Sequence, residues 1–347
     1  MLDTKMKAVV VTAFGEVRVA DDVPVPVPGD YEALIKVHAC GFCNGTDMGI
    51  IYGTIKKDYH GFPAVLGHEG AGEVIQIGKK VRYIKIGDRF IHPNLHADVG
   101  NGYVKAHGSM AQYALVSDTQ AILEDGVPQT PECPFPRQHR FPKSIDFIDA
   151  GLLLSLAECH SAIVNFEIGP GKDVLIYGAG PMGIALAKFS RLLGANSITQ
   201  IDANEKRLHL AKKIADVDHT INLVTQNVDE TLKDCRFDVV IDAVGKTQII
   251  YEASQRLKPG GRVGSLGVLK DDDHLVEVSK LQDNTMLHML NYPYGEYAIM
   301  DQTISLIEAG VINPKNFITH VVPMEQINMA MDLVKSQEAL KVVLSID

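Results

Sequence analysis

The spacing of apolar residues changes character near the middle of the chain. In the first part, short apolar runs of strand length, such as residues 9–11 and 33–37, alternate with turn residues. From about residue 157, apolar strands instead alternate with segments whose apolar residues recur at helical spacing, beginning with residues 173–177 and 184–193. Strands and helices in this order predict a doubly wound parallel sheet.

The same alternation continues toward the C-terminal region and sets the predicted domain boundaries. Further strands are predicted at residues 197–201, 237–243 and 261–266, and a further helix is predicted at residues 205–214. A chain of 347 residues is long enough for two domains. We predict an α/β protein in which residues 1–156 and 294–347 form a β-rich catalytic domain and residues 157–293 form a dinucleotide-binding domain.

Two long segments show neither the apolar runs typical of strands nor the helical spacing of apolar residues. Residues 92–108 are rich in glycine, histidine and asparagine, and residues 124–143 contain five prolines. We predict residues 92–108 to form a loop and residues 124–143 to be largely irregular, because proline and glycine interrupt regular backbone structure. Loops of this length form lids or partner surfaces in some proteins and plain surface excursions in others.

The composition is that of an ordinary globular protein, with 46% hydrophobic and 22% charged residues. The formal net charge of -10 argues against a nucleic-acid or anionic-membrane partner, because both need a basic surface. The sequence has no apolar stretch of about 18 residues and no leader pattern at its start. Five scattered cysteines, an odd number, suit a reducing compartment. These features predict a cytoplasmic protein that acts on a small molecule.

The most specific motif is the run GAGPMG at residues 178–183, which follows a predicted strand and opens a predicted helix. Its first glycine permits a tight turn, its second lets a pyrophosphate approach the backbone, and its third lets helix and strand pack closely. The free N–H groups at the start of the helix attract phosphate, and proline is tolerated in that first turn. The residues of this motif assigned to the cofactor site are Gly178, Gly180, Pro181, Met182 and Gly183.

An acidic residue beyond this motif bears on the choice of nucleotide. Asp202 ends the next predicted strand, about 20 residues further on, where dinucleotide-binding folds place a ribose-binding acid. Its carboxylate would accept hydrogen bonds from the ribose hydroxyls and repel a 2′-phosphate, which favours NAD over NADP. Lys206 and Arg207 follow closely and either could bind a phosphate, so NADP stays open as the less favoured cofactor.

Three residues in the first part carry the donor atoms that zinc prefers: the thiol of Cys43, the imidazole of His68 and the carboxylate of Glu69. A catalytic zinc site uses three protein ligands and keeps one position open. The charges of the three groups sum to about -2, so a bound Zn²⁺ ion would give a nearly neutral site. Zinc in such a site polarises an alcohol oxygen and lowers its pKa, which predicts an alcohol-oxidising centre.

Together these segments resemble the medium-chain dehydrogenase/reductase family, in particular its zinc-containing alcohol and polyol, or sorbitol-like, dehydrogenases. The matching segments run nearly end to end and include LGHEGAGEVIQIG (66–78), VLIYGAGPMGI (174–184), FDVVIDAVG (237–245) and the tail at 318–344. The resemblance implies a GroES-like catalytic domain joined to a Rossmann domain. It also implies a catalytic zinc ion in the cleft between them, facing the nicotinamide.

The resemblance implies roles for individual residues around the zinc ion. Cys43 and His68 match zinc ligands. Glu69 matches an acid that coordinates zinc or approaches it in alternation with substrate or water. Thr46 matches the hydroxyl that takes the alcohol proton, and Asp47 matches the acid that orients the zinc-bound histidine.

The resemblance also extends the cofactor site and implies an oligomer. The cofactor contacts outside the glycine motif are Asp202, Arg207, Val244, Gly267 and Lys341. Lys341 matches a basic residue that lies near both Glu69 and the cofactor phosphates. Relatives form homodimers or homotetramers, and we expect residues 261–269 to expose a strand edge that pairs with a second subunit.

The chain departs from the family in three places. Three residues, where the family has two, separate Cys43 from Asp47. Residues 92–108 contain no cysteine, so the family's structural zinc lobe is absent and we predict one catalytic zinc ion without a structural one. The family's last zinc ligand falls near residues 153–154, and Glu158 is the nearest acid. Glu158 is therefore a candidate fourth ligand, which would make the site net negative.

The leading interpretation is zinc-dependent, NAD-linked oxidation of an alcohol, a polyol or a small secondary alcohol, to the ketone or aldehyde, with the reverse reduction. The protein would align the alcohol, Thr46 and the nicotinamide in a dry cleft. Two alternatives stay open: a zinc-free NADPH-dependent enone or quinone reductase of the same fold, and a non-catalytic nucleotide-binding protein. The set of Cys43, His68 and Glu69 weighs against both, because neither function requires these ligands.

Overall fold

The computed structural model of the protein describes residues 4–55, 61–128, 137–270 and 272–347. Its strands are β1 (Lys5–Ala13), β2 (Glu16–Pro24), β3 (Glu32–Phe42), β4 (Ala64–Val65), β5 (Glu69–Ile77), β6 (Arg89–Ile91), β7 (Asp98–Gly100), β8 (Tyr103–Lys105), β9 (Tyr113–Ser117), β10 (His139–Phe141), β11 (Asp173–Tyr177), β12 (Ser197–Asp202), β13 (His219–Asn222), β14 (Phe237–Asp242), β15 (Leu257–Ser265), β16 (Met286–Met289), β17 (Ile318–Pro323) and β18 (Lys341–Ser345). Its helices are α1 (Thr46–Tyr52), α2 (Thr119–Glu124), α3 (Phe147–Ala150), α4 (Leu153–Asn165), α5 (Pro181–Leu192), α6 (Glu205–Ala215), α7 (Val228–Thr231), α8 (Thr247–Ser254), α9 (Glu296–Glu308) and α10 (Ile327–Lys335). None of the helices in these ranges combines the length and the apolarity needed to cross a lipid bilayer.

The chain divides into a first unit, Met1–Leu154 with Met300–Asp347, and a second unit, Ser155–Ile299. The first unit contains one sheet of order β2-β1-β4-β8-β7 and another of order β10-β6-β5-β3-β18-β17, with β9 also paired to β3. Buried apolar side chains from both sheets, including Val10, Ile35 and Leu344, belong to one core. The predicted β-rich fold is therefore confirmed.

The second unit is built on a six-stranded sheet of order β13-β12-β11-β14-β15-β16. Every neighbouring pair in this sheet is parallel. The strand order reverses between β11 and β14, and ligands of such sheets bind outside the carboxyl ends of the strands at this reversal. The predicted doubly wound, Rossmann-type sheet is confirmed.

The prediction that residues 92–108 form a loop was wrong in part, and the largely irregular segment 124–143 includes one short strand. Residues 92–108 contain β7 and β8, and β8 pairs with β4. Residues 124–143 contain β10, which pairs with β6, whereas residues 129–136 of the same segment lie outside the described ranges. Strands of three residues are too short to show alternation, so only their partners in the sheet identify them.

The prediction that residues 261–269 expose a strand edge was also wrong by one strand. Residues 261–265 belong to β15, which pairs with β14 on one side and β16 on the other. The edge is β16, whose sequence MLHM shows no clear alternation of apolar and polar residues. Any pairing with a second subunit through this edge would therefore use residues 286–289 instead of residues 261–269.

Candidate metal and dinucleotide sites

Strand pairing brings the predicted zinc ligands together at one end of the sheet in the first unit that contains β3, β5 and β18. Cys43 directly follows β3, and Glu69 begins β5 and pairs with Gly41 in the antiparallel register. β18, which begins at Lys341, pairs with the same end of β3. A Cβ atom added to Gly41 would lie 2.3 Å from Oε2 of Glu69, so the close approach of this carboxylate requires glycine. Residues far apart in sequence thus become neighbours.

The donor atoms of Cys43, His68 and Glu69 all lie within 4.8 Å of one another. Zinc–ligand distances of about 2.0–2.3 Å place any two donors of one ion less than about 4.6 Å apart, so the observed spacing is close to what zinc requires. Thiolate, imidazole and carboxylate are also the donor types that zinc prefers. The residues present therefore fit a zinc ion.

Asp47 links the first two of these residues. Its buried carboxylate accepts a hydrogen bond from the backbone N–H of Cys43 at 2.8 Å through Oδ2, and Oδ1 lies 3.4 Å from Nδ1 of His68. Nε2 of His68 lies 3.7 Å from Oε1 of Glu69. One ring nitrogen of His68 therefore faces Asp47 and the other faces Glu69, which is the arrangement expected of an acid that orients a metal-bound histidine.

The electrostatics of the cluster favour charged ligands. Burial acts to lower the pKa of His68, but the Asp47 carboxylate and Cys43 raise that pKa well above its usual value. Burial acts to raise the pKa of the Cys43 thiol, but the hydrogen bond and the charge of His68 bring that pKa below its usual value. A thiolate is the form in which cysteine binds metal.

Lys341 neutralises part of this negative charge. Its Nζ lies 2.7 Å from Oε1 and 2.6 Å from Oε2 of Glu69, and both side chains are buried. Burial acts to lower the pKa of Lys341, but the Glu69 carboxylate raises it, so the ammonium form is retained. Of the two contacts that the resemblance implies for Lys341, the structure shows the one to Glu69.

Thr46 occupies the first turn of α1, directly after the cluster. Its backbone N–H points to Sγ of Cys43 at 3.4 Å, and its side chain is half-buried. The residue that is additional to the family spacing is accommodated in the turn at 44–45, where Asn44 is exposed. Asp47 therefore still faces His68 despite the longer spacing.

Two histidines near the cluster were not singled out by sequence reasoning. The ring centre of His107 lies 5.4 Å from that of His68 and 6.3 Å from that of His92. Both residues have positive φ angles, 55° for His92 and 71° for His107, which non-glycine residues seldom adopt. Burial lowers the pKa of His107 to about 3 and that of His92 well below its usual value, so both rings are neutral. The density of histidines in residues 92–108 was the available signal.

Glu158 lies on α4 in the second unit. There its charge contributes to raising the pKa of Tyr297, with a smaller effect than burial, Tyr292 and Glu296. The group of potential metal ligands found among the described residues consists of Cys43, His68 and Glu69. The assignment of Glu158 as a fourth ligand stays a prediction.

The glycine motif forms a tight turn between β11 and α5. Gly178 has a φ of 100°, and its carbonyl accepts a hydrogen bond from Nε2 of Gln200 at 2.8 Å. A Cβ atom on Gly183 would lie 2.0 Å from that same carbonyl oxygen, so helix and turn pack too closely for any other residue. A Cβ atom on Gly180 would meet nothing within 4 Å. This open space at the start of α5, which begins with Pro181 and Met182, fits a pyrophosphate.

Asp202 faces this turn from the end of β12. Its Oδ2 accepts the backbone N–H of Ala179 at 2.6 Å, and its Oδ1 accepts that of Asn204 at 2.7 Å. The carboxylate is therefore held at the carboxyl end of the sheet beside the glycine turn. Arg207 on α6 is half-buried, and Lys206 is exposed. Burial lowers the pKa of Arg207, and the negative charge of Asp202 opposes this lowering.

Val244 and Gly267 lie in the loops that follow β14 and β15. A Cβ atom on Gly178 would lie 3.0 Å from Cγ2 of Val244, and one on Gly267 would lie 2.0 Å from the backbone nitrogen of Gly245. The structure thus gathers the glycine turn, Asp202 and both later loops at the carboxyl ends of neighbouring strands. This is where doubly wound sheets bind dinucleotides.

Two family models match the chain. The one described as "Alcohol dehydrogenase GroES-like domain" matches residues 29–128, and the one described as "Zinc-binding dehydrogenase" matches residues 181–308. The first model lies over the strands that carry Cys43, His68 and Glu69, and the second begins at the first residue of α5.

Curated proteins and solved structures resemble the chain over nearly its full length. L-threonine 3-dehydrogenase of Shewanella baltica is 29% identical over 94% of this chain and 95% of its own. Sorbitol dehydrogenase of Bombyx mori is 29% identical over 99% of each chain. An alcohol dehydrogenase of E. coli CFT073, solved with NADH, superposes with a TM-score of 0.81 at 20% identity over 99% of this chain and 100% of its own. The last comparison establishes likeness of fold.

Proposed function

The chain belongs to the zinc-dependent medium-chain dehydrogenase/reductase family, and from that premise we propose that it oxidises a polyol or small secondary alcohol with NAD, reversibly. It is an oxidoreductase of the type that acts on alcohols. The observation that supports the proposal most strongly is the cluster of Cys43, His68 and Glu69. A zinc-free reductase or a non-catalytic nucleotide-binding protein would require none of these ligands.

In the proposed reaction, Cys43, His68 and Glu69 would hold a zinc ion, which would supply Lewis acidity toward the alcohol oxygen, and bound NAD would supply the hydride acceptor. The residues around this site would orient the zinc ligands and accept the alcohol proton. Asp47 holds the backbone of Cys43 by a hydrogen bond of 2.8 Å, and its Oδ1 lies 3.4 Å from Nδ1 of His68, where we propose that it orients the ring. Thr46, at the first turn of α1, is the residue whose hydroxyl we propose accepts the alcohol proton while passing its own proton on toward solvent.

The preference for NAD is proposed from Asp202. Its carboxylate is held beside the glycine turn by two backbone N–H groups, where it can accept hydrogen bonds from ribose hydroxyls. A 2′-phosphate at that position would meet this negative charge. Lys206 and Arg207 are the residues that would favour NADP, and Arg207 already lies within the field of Asp202.

The substrate class is proposed from the named relatives. L-threonine and sorbitol, which give two of the relatives their names, both carry a secondary hydroxyl beside another polar group. A small polar secondary alcohol is therefore the substrate that we propose. The test is to follow NADH formation with sorbitol, other polyols, L-threonine and simple secondary alcohols, each with NAD and with NADP. Turnover of none of these, by zinc-loaded protein, would contradict the proposal.

We also propose that the protein works in the cytoplasm as a homodimer or homotetramer. Among the described residues, β16 has a paired strand on one side, and its side chains Met286 and Met289 are 48% and 36% exposed. A strand edge with exposed apolar side chains is suited to pairing with a second copy.

A further inference from the structure

The carboxylate of Asp242 is wholly buried at the end of β14 and has no part in the proposed chemistry. Its Oδ1 accepts the backbone N–H groups of Val244 and Gly245, both at 2.9 Å. Its Oδ2 accepts the hydroxyl hydrogen of Ser265 at 3.1 Å. One side chain therefore fixes the loop after β14 and joins it to the end of β15.

The backbone of Asp242 strengthens this link. Its carbonyl oxygen accepts the N–H groups of Leu266 and Gly267, both at 3.1 Å. The two loops lie so close that a Cβ atom on Gly267 would fall 2.0 Å from the nitrogen of Gly245. A displacement of either loop would consequently move the other.

The position of these loops in the sheet indicates which part of a dinucleotide they serve. Folds of this type consist of two mononucleotide-binding halves on either side of the reversal in strand order. Asp202, the proposed ribose-binding acid, lies on β12, on one side of the reversal between β11 and β14. The loops held by Asp242 follow β14 and β15, on the other side.

We propose that Asp242 is a positioning residue that shapes the nicotinamide half of the cofactor site and leaves the adenosine half unaffected. The inference rests on the proposed NAD-linked function. It assigns to Asp242 no contact with the cofactor; the residue acts through the backbone of Val244, Gly245 and Gly267.

The test is calorimetric titration of the full chain with NADH and, separately, with AMP. In D242A the loops lose three hydrogen bonds from the side chain, and we expect NADH to bind about tenfold more weakly while the affinity for AMP changes by less than about twofold. In D242N the amide oxygen can still accept both N–H groups and the amide nitrogen can donate to Ser265. Binding of NADH by D242N should therefore lie within about threefold of the wild type.

Burial raises the pKa of Asp242 against the opposing effect of its hydrogen-bond donors. The neutral amide is a matched control because it keeps an acceptor oxygen and a second polar atom in a side chain of nearly the same size. If D242A does not fold, G245A displaces the same loop with Asp242 intact. Gly245 has a φ of 86°, and its Cβ would lie 2.3 Å from the carbonyl oxygen of Val268. In G245A we expect the same result as in D242A, weaker binding of NADH with little change in the affinity for AMP.

Three results would overturn the inference. D242A could bind both nucleotides with wild-type affinity, or its affinities for NADH and AMP could fall equally. D242N could also bind NADH as weakly as D242A does. Failure of the wild type to bind NADH would instead contradict the proposed function, and this distinguishes the two claims.

Discussion

At the scale of single residues, the pair of Lys341 and Glu69 shows how the site tolerates buried charge. Both side chains are buried, and Nζ lies within 2.7 Å of both carboxylate oxygens. Removing one partner from such a pair leaves an uncompensated charge, whereas removing both does not. The lysine therefore supplies a countercharge to the buried carboxylate of Glu69.

K341M is expected to lower the free energy of unfolding of the metal-free protein by about 3–5 kcal/mol, because it leaves the Glu69 carboxylate buried without its cation. The double variant K341M/E69Q removes both charges and should recover most of this loss. Urea unfolding measures both values. Equal losses in the single and double variants would show that the ion pair does not govern stability here.

A second prediction at this scale concerns the nucleotide. D202S removes the carboxylate that stands beside the glycine turn, so the ratio of kcat/KM for NADP to that for NAD should rise by about tenfold or more. D234S, which removes an exposed acid of the same unit, serves as the control and should leave the ratio unchanged. A ratio that stays at the wild-type value in D202S would remove the basis for the proposed preference.

At the scale of elements, the cluster depends on the antiparallel pairing of β3 with β5. Gly41 pairs with Glu69, and a Cβ atom there would lie 2.3 Å from Oε2 of Glu69 and 2.4 Å from the carbonyl oxygen of Gly151. The backbone atom cannot move aside as a flexible side chain could. The end of β3 must therefore shift when this glycine is replaced.

G41A is accordingly expected to weaken zinc binding by about tenfold or more and to lower the melting temperature. G169A is the matched control, since its Cβ would make an ordinary contact of 3.8 Å with the carbonyl oxygen of Leu193. Competition with a chromogenic chelator gives the zinc affinity of each variant. Zinc binding by G41A at wild-type strength would show that the cluster does not need this strand register.

The elements also show what the sequence alone could predict. The turn at 178–183 and the group Cys43, His68 and Glu69 follow from short motifs whose chemistry is local, so the residues could be chosen before the fold was known. The proximity of Lys341 to Glu69 follows from the register of β18 against β3, and it was reached through the family resemblance.

Other features depended on backbone conformation that composition does not encode. His92 and His107 reach the cluster from left-handed conformations, and no periodic pattern predicts those. The sheet edge was misplaced because β16 has four residues and its sequence MLHM lacks alternation. Short strands are defined by their neighbours, which a single sequence does not show.

At the scale of the whole molecule, the exposed edge at β16 predicts how copies associate. The double variant M286K/M289K places charge on that edge, which disfavours pairing between strands, so the proposed oligomer should dissociate to monomers. V224K places a lysine at another exposed apolar position of the second unit, where Val224 is 74% exposed, and should not change the assembly. Light scattering after gel filtration measures the mass. Unchanged oligomers in M286K/M289K would locate the interface elsewhere.

For the molecule as a whole, the proposed chemistry depends on a catalytic zinc ion held by Cys43, His68 and Glu69. The most direct test is elemental analysis of zinc in dialysed wild type, C43A and, as a matched control, C40A, since Cys40 is buried in β3 outside the donor group. We expect about one zinc ion per chain in the wild type and in C40A, and little in C43A. Absence of zinc from all three, or retention of zinc by C43A, would contradict this proposal.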